Sequence, residues 1–250
     1  MYARFLRFSL VIVSFSLLVI GCSNDETCPT CPTNPADMPY TVEIDPADFE
    51  DTDIIGNDFF PLTPGLMYVY EGENEEGLPV RIEEEYTDQT KIIMGVTCVV
   101  AEFREYEDGD LIEQTSDWYA QDKQGNVWYF GEDSEEIEDG EVVSTAGSWE
   151  AGVDGALPGI LMFADPVEGL WYRQEYYEGE AEDVAQVLGL HESVTVPYGT
   201  FNSCLQMAEW SPLEPGIVEH KFYASGVGVV RVVAVEGESG FENLVEILSE

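Results

Sequence analysis

The side chains with most chemical potential in this sequence are carboxylates. Glu113 and Asp117 lie four apart, and Glu83 and Glu85 two apart, in runs of strand character, so each pair shares one strand face. Glycoside hydrolysis needs two carboxylates about 5 to 9.5 Å apart. With 51 Asp and Glu in 250 residues, however, such pairs arise on any solvated sheet face. That is the reading adopted here, and no catalytic residue is assigned. The acidic stretches EYEDGD (105–110), GEDSEEIEDGE (131–141) and DFEDTDIIGND (48–58) concentrate the oxygen donors that hard cations prefer. None has the spacing of a helix–loop–helix calcium loop, so weak divalent cation binding is expected, with no defined metal or cofactor site. His191 and His220 are 29 positions apart and read as structural or surface imidazoles. Trp118, Trp128, Trp149, Trp171 and Trp210 suit either a stacking platform or a core, and the core reading is preferred.

The thiols divide by context. Cys28-Pro-Thr-Cys31 has C-x-x-C spacing, but its acidic, Pro-rich surroundings oppose thiolate formation, so a local disulfide in an oxidising compartment is expected. Cys98 and Cys204 sit in the apolar runs VTCVV and FNSCLQM; spacing does not decide whether they pair or are buried separately. Cys22 is different. Arg4 and Arg7 precede the uncharged stretch from Phe8 to Ile20, too short to span a bilayer in a helix and of the length of a secretory signal. The following Val19-Ile20-Gly21-Cys22 resembles the bacterial lipobox. That resemblance implies removal of residues 1–21 and acylation of Cys22 with diacylglycerol and further chains such as palmitate. Each buried methylene contributes roughly 0.8 kcal/mol and stable anchoring needs more than one chain. Ser23, where inner-membrane lipoproteins of this sorting pattern carry Asp, implies the outer membrane.

Charge and composition supply the frame. Nine basic residues against 51 acidic give a net charge of −42, which excludes a basic face for nucleic acid. The 44% hydrophobic content is enough for a packed core. Residues 22–58, with ten acidic side chains and no Lys or Arg, read as an acidic, Pro-rich tether, and residues 59–250 as one domain.

Within that domain, period-2 alternation and turn residues predict an all-β fold: a single antiparallel curved sheet, sandwich or open barrel of about a dozen strands, with little helix. Asp108-Gly109 and Asp139-Gly140 read as hairpin turns because both residue types tolerate positive φ. Ala181 to Leu190 has some helical spacing but leads into strand-like ESVTV. Val227 to Val235 is apolar enough for a strand buried on two sides. The Gly/Pro-rich stretch Gly147 to Gly169 reads as a long loop, packed on a sheet end or closing as a lid. Trp149, Asp154 and Arg173 are its candidate ligand contacts.

The stretches FPLTPGLMYVYEG (60–72), DWYAQDKQGNVWYFGED (117–133), GSWEAGVDGALPGILM (147–162), YRQEYYEGEAEDVAQV (172–187), VPYGTFNSCL (196–205) and PLEPG (212–216) together resemble a family of bacterial secreted proteins and lipoproteins of unassigned activity. The resemblance implies export and a β-rich domain and brings no catalytic residue with it. The expected protein is a cell-envelope lipoprotein that binds or scaffolds, held to the membrane by its lipid. The alternatives are an extracellular hydrolase of an envelope polymer and a calcium-binding surface protein.

Overall fold

The computed structural model describes residues 39–249; Cys22, Cys28, Cys31 and the first part of the expected tether lie outside them. A two-stranded ribbon, β1 (Ile55–Gly56) and β2 (Pro61–Leu62), precedes a single antiparallel sheet of fifteen strands. Its first half contains β3 (Leu66–Glu73), β4 (Pro79–Ile93), β5 (Val96–Glu107), β6 (Asp110–Gln121), β7 (Val127–Glu138), β8 (Glu141–Ser144), β9 (Trp149–Glu150) and β10 (Leu157–Met162). Its second half contains β11 (Trp171–Arg173), β12 (Glu175–Tyr176), β13 (Val184–Val196), β14 (Gly199–Trp210), β15 (Val218–Ala224), β16 (Gly228–Glu236) and β17 (Phe241–Ser249). Among the described residues the only helical element is the 3-10 turn Pro46–Asp48. The expected all-β curved sheet is therefore the fold.

The hairpins follow from turn chemistry. Asp108 and Gly109 adopt φ of 49° and 93°, and Asp139 and Gly140 adopt 54° and 79°, the two successive positive angles of a type I′ turn. Met94 and Gly95 do the same at 51° and 81°, so the chain reverses there between β4 and β5. Met is not a turn-former, which hid this corner in the sequence. The Ala181–Leu190 stretch is extended, with Val184 onward in β13. Val227–Val235 is corrected: in β16 Val230 and Val232 are buried while Val229, Arg231 and Val233 are partly exposed. This strand therefore buries one face more fully than the other, unlike β6, where the consecutive Trp118, Tyr119 and Ala120 are all buried.

Two further expectations change. The Gly147–Gly169 stretch is not one long loop, because β9 and β10 both pair with β7 within it. The expected tether ends early: from Tyr40 the chain lies on the sheet. The Tyr40 hydroxyl donates to the Pro158 carbonyl at 2.9 Å, and the buried Phe49 ring stacks edge-on against Phe130 at 5.5 Å. A few apolar side chains suffice there because they dock onto a surface the sheet already presents. Cys98 and Cys204 are separate buried thiols on β5 and β14.

The strand order β11-β13-β14-β15-β16-β17-β3-β4-β5-β6-β7-β10-β12 has a consequence for shape. Its two ends, β11 and β12, are neighbours in the chain with Gln174 between them. The sheet therefore curls until its edges meet along one chain segment, while the ladder stays open because β11 pairs with β13 and β12 with β10. Close approach at this seam requires glycine. A Cβ on Gly159 would lie 2.3 Å from the Gln174 carbonyl carbon and oxygen. Gly159→Ala should cost about 1–3 kcal/mol by urea unfolding, whereas Gly56→Ala, with no heavy atom nearer than 3.9 Å, should be near neutral. Equal effects would show that the seam tolerates displacement.

Candidate ligand cavity

The concave face of the sheet encloses a cavity of about 70 Å³. Strand alternation fills its wall: β6 contributes Glu113, Thr115, Asp117 and Tyr119 at every second position. Tyr70, Glu84, Glu209, Lys221, Tyr223 and Glu242 enter from β3, β4, β14, β15 and β17, and Glu175 from the seam. Asp183, just before β13, adds a further acid. Eight carboxylates and one base, Lys221, line the space. A carboxylate in such surroundings must have a partner, a proton or a ligand, because an isolated buried charge is too costly.

On β7, Tyr129 and Glu132 both line the cavity although three residues apart. Strict alternation would separate them; a bulge where the β6–β7 register shifts between Trp118 and Tyr119 brings both inward. Gly131 makes this possible, at φ 133°, since a Cβ there would lie 2.2 Å from the Trp149 carbonyl oxygen. The Tyr129 hydroxyl then sits 2.5 Å from Asp117 Oδ1 and 3.0 Å from Glu132 Oε2. A phenol has one proton to donate, so when it serves one carboxylate the other is satisfied best by carrying a proton itself. Burial, before any other cause, pushes the Asp117 carboxyl up to about 7 and the Glu132 carboxyl well above its ordinary range. Beside them, Trp149 Nε1 donates to Glu175 Oε2 at 3.0 Å, and burial pushes Glu175 up as well.

The other wall is organised by an ion pair. Lys221 Nζ lies 2.6 Å from Glu209 Oε2, and the Tyr223 hydroxyl donates to Glu209 Oε1 at 2.8 Å. Burial lowers the Lys221 ammonium, but the charges of Glu209, Glu219 and Asp183 and the hydrogen bond to Glu209 together raise it above its usual value. Glu84, partly buried, is pushed up to about 7, chiefly by desolvation and then by Asp117. Three carboxylates keep an oxygen with no partner in the protein: Glu132, Glu175 and Glu242, at Oε1 in each case. They are 5%, 1% and 3% exposed.

Of the residues singled out from sequence, Trp149 is at the cavity through its bond to Glu175. Asp154 is exposed in the turn before β10, at φ 49°. Arg173 is buried with Nη1 3.5 Å from Glu182 Oε2 and its guanidinium 4.8 Å above the Tyr176 ring, a packing role at the seam. The three are not brought together. Glu113 and Asp117 are corrected from a solvated face to the interior, whereas Glu83 and Glu85 are on the outer face, paired with Arg81 and Arg104 at 2.9 and 3.2 Å. The acidic stretch 131–141 is a β7–β8 hairpin, not a loop. In 48–58, Asn57 folds the chain by accepting from the Phe59 and Phe60 amides. His191 is exposed, and His220 Nδ1 lies 2.9 Å from Gln206 Nε2. Among the described residues no three Asp, Glu, His or Cys side chains converge as a metal-ligand set. Trp118 and Trp149 are core residues, the former capped by Lys91 Nζ at 3.1 Å from its ring centre.

No family model matches the chain, and no curated protein matches it. Among solved structures, it is similar to a protein of YmcC-like fold from Bacteroides fragilis, assigned as exported: 17% identity, 77% of this chain and 100% of that one covered, TM-score 0.46. It is also similar to a protein from Parabacteroides distasonis assigned as a lipoprotein: 13% identity, 77% and 99% covered, TM-score 0.42.

Proposed function

We propose that this chain is a lipid-anchored protein of the cell envelope, in the outer membrane where the cell has two, that binds a small ligand inside its curled sheet. The carrying observation is the cavity, whose buried Glu132, Glu175 and Glu242 each present a carboxylate oxygen that no protein group satisfies. The envelope address is supported by the basic, apolar amino terminus ending in Val19-Ile20-Gly21-Cys22.

Hydrolysis through a carboxylate pair has one observation in its favour, the raised carboxyls of Asp117 and Glu132. A glycosidase, however, holds one of its pair ionised while the other is protonated, and here both are pushed up by the same burial. The cavity also has room for roughly five to seven water-sized groups at about 10–15 Å³ each, less than a sugar polymer needs. Binding without turnover is the better fit.

The test has two arms. Tritiated palmitate should label the wild-type protein and not Cys22→Ser, which should leave the membrane fraction. A thermal-shift panel of small cationic, neutral and anionic compounds on the mature protein in detergent should give stabilisation that Val229→Phe, filling the cavity from β16, abolishes. Stabilisation unaffected by that variant, or release of reducing ends from envelope polysaccharide that Asp117→Asn stops, would overturn the reading.

A further inference from the structure

We propose that the ligand is a small organic ammonium ion, held by Glu132 and Glu175 beside the rings of Tyr119 and Tyr129. This rests on the reading of the cavity as a ligand site and narrows it to one chemical class.

Five observations converge. Once ionised, the unpartnered Oε1 atoms of Glu132 and Glu175 can only accept, so a ligand that takes the place of their protons donates hydrogen bonds and carries positive charge. The single cavity base, Lys221, is already engaged by Glu209 at 2.6 Å and leaves the opposite wall acidic. Tyr119 and Tyr129 stack at 4.9 Å and line the same space, and aromatic faces with nearby carboxylates are how proteins recognise ammonium groups. The carboxylates are spread over β6, β7 and the seam, without the convergent donor set that a bare metal ion needs, whereas a chain of a few atoms bridges them. The volume, about 70 Å³, suits a ligand of roughly six heavy atoms.

Binding then competes with protons. The groups facing Asp117, Tyr129 and Glu132 are Glu84 on β4, Glu102 on β5, Glu113 on β6, Trp149 on β9 and Glu175 on β12, all acidic apart from the indole. No neighbouring base holds these carboxyls ionised, so an arriving ammonium displaces the proton shared around Tyr129. Affinity should rise with pH from 6 to 8.

The experiment is isothermal titration of the mature protein in detergent at pH 8 and about 0.3 M NaCl, where attraction to the acidic surface is screened. Putrescine should bind one to one, with an enthalpy that depends on the buffer's ionisation heat, and at least tenfold more weakly at pH 6. Glu132→Gln and Glu175→Gln should each weaken it about tenfold or more, and Glu83→Gln on the outer face should leave it unchanged. Failure of putrescine to bind at 10 mM overturns the inference, as does equal binding by its uncharged isostere 1,4-butanediol or equal weakening by Glu83→Gln. If butanediol or calcium binds instead and the binding is lost in Val229→Phe, the cavity reading survives and the ligand class falls. If nothing binds and the thermal-shift panel is also silent, the cavity reading falls with it.

Discussion

Acidifying this protein from pH 8 to pH 6 is expected to raise its melting temperature by about 5–15 °C. In the folded chain Glu84 and Asp117 titrate near 7, Asp183 near 6 and Glu219 near 8, with burial the first cause in each. In the unfolded chain these groups titrate near 4. Between those limits the folded state holds more protons than the unfolded one, so stability falls as pH rises. The loss begins above pH 4 and continues past pH 8 for Glu219 and for Glu132, Glu175 and Glu242, which burial raises well above their ordinary range. Summed over these groups it is on the order of several kcal/mol. This is the reverse of an ordinary acidic protein, whose paired carboxylates lose stability as pH falls. Relief of self-repulsion from a net charge of −42 acts in the same direction. Asp117→Asn separates the two effects. The amide still accepts from the Tyr129 hydroxyl but cannot ionise, so this variant should melt higher than wild type at pH 8 and show a shallower pH dependence. Calorimetry giving a flat or falling melting temperature on acidification would mean that the interior carboxylates are compensated in a way these contacts do not reveal.

Lys221→Met should destabilise by about 3–5 kcal/mol, because it leaves the buried Glu209 carboxylate without its cation. The Tyr223 hydroxyl remains on Glu209, but one neutral donor does not replace a buried counter-charge. Urea unfolding at pH 8 should show a lower midpoint at unchanged slope. Adding Glu209→Gln removes the stranded charge while retaining an acceptor for Tyr223, and should recover most of the loss. If the double variant is no more stable than Lys221→Met, the lysine acts through packing of its stem rather than its charge.

The strands and most hairpins were legible because alternation and Asp-Gly pairs act over a few residues. The same alternation carried the most important clue, Glu113-x-Thr115-x-Asp117-x-Tyr119, and it was misjudged. Period 2 states that these side chains share a face, and nothing local states which face is inside. Met94-Gly95 and the bulge at Gly131 were missed for a related reason. The former replaces a customary turn residue with Met, and the latter is set by how closely Trp149 approaches from β9. Glu175 and Asp183 could not be grouped with Asp117 at all, because they meet only where the edges of the curled sheet adjoin.

By itself the chain's order of residues determined the overall charge, the all-β class and the antiparallel connections, since each depends on composition or on neighbours a few positions apart. Tertiary structure alone decided that the sheet curls until β11 and β12 adjoin, and that an acidic face becomes the interior. Pairings such as β17 with β3 join segments more than 150 residues apart, so the direction of curl, and with it the side chains removed from water, is a property of the whole sheet and of no single strand.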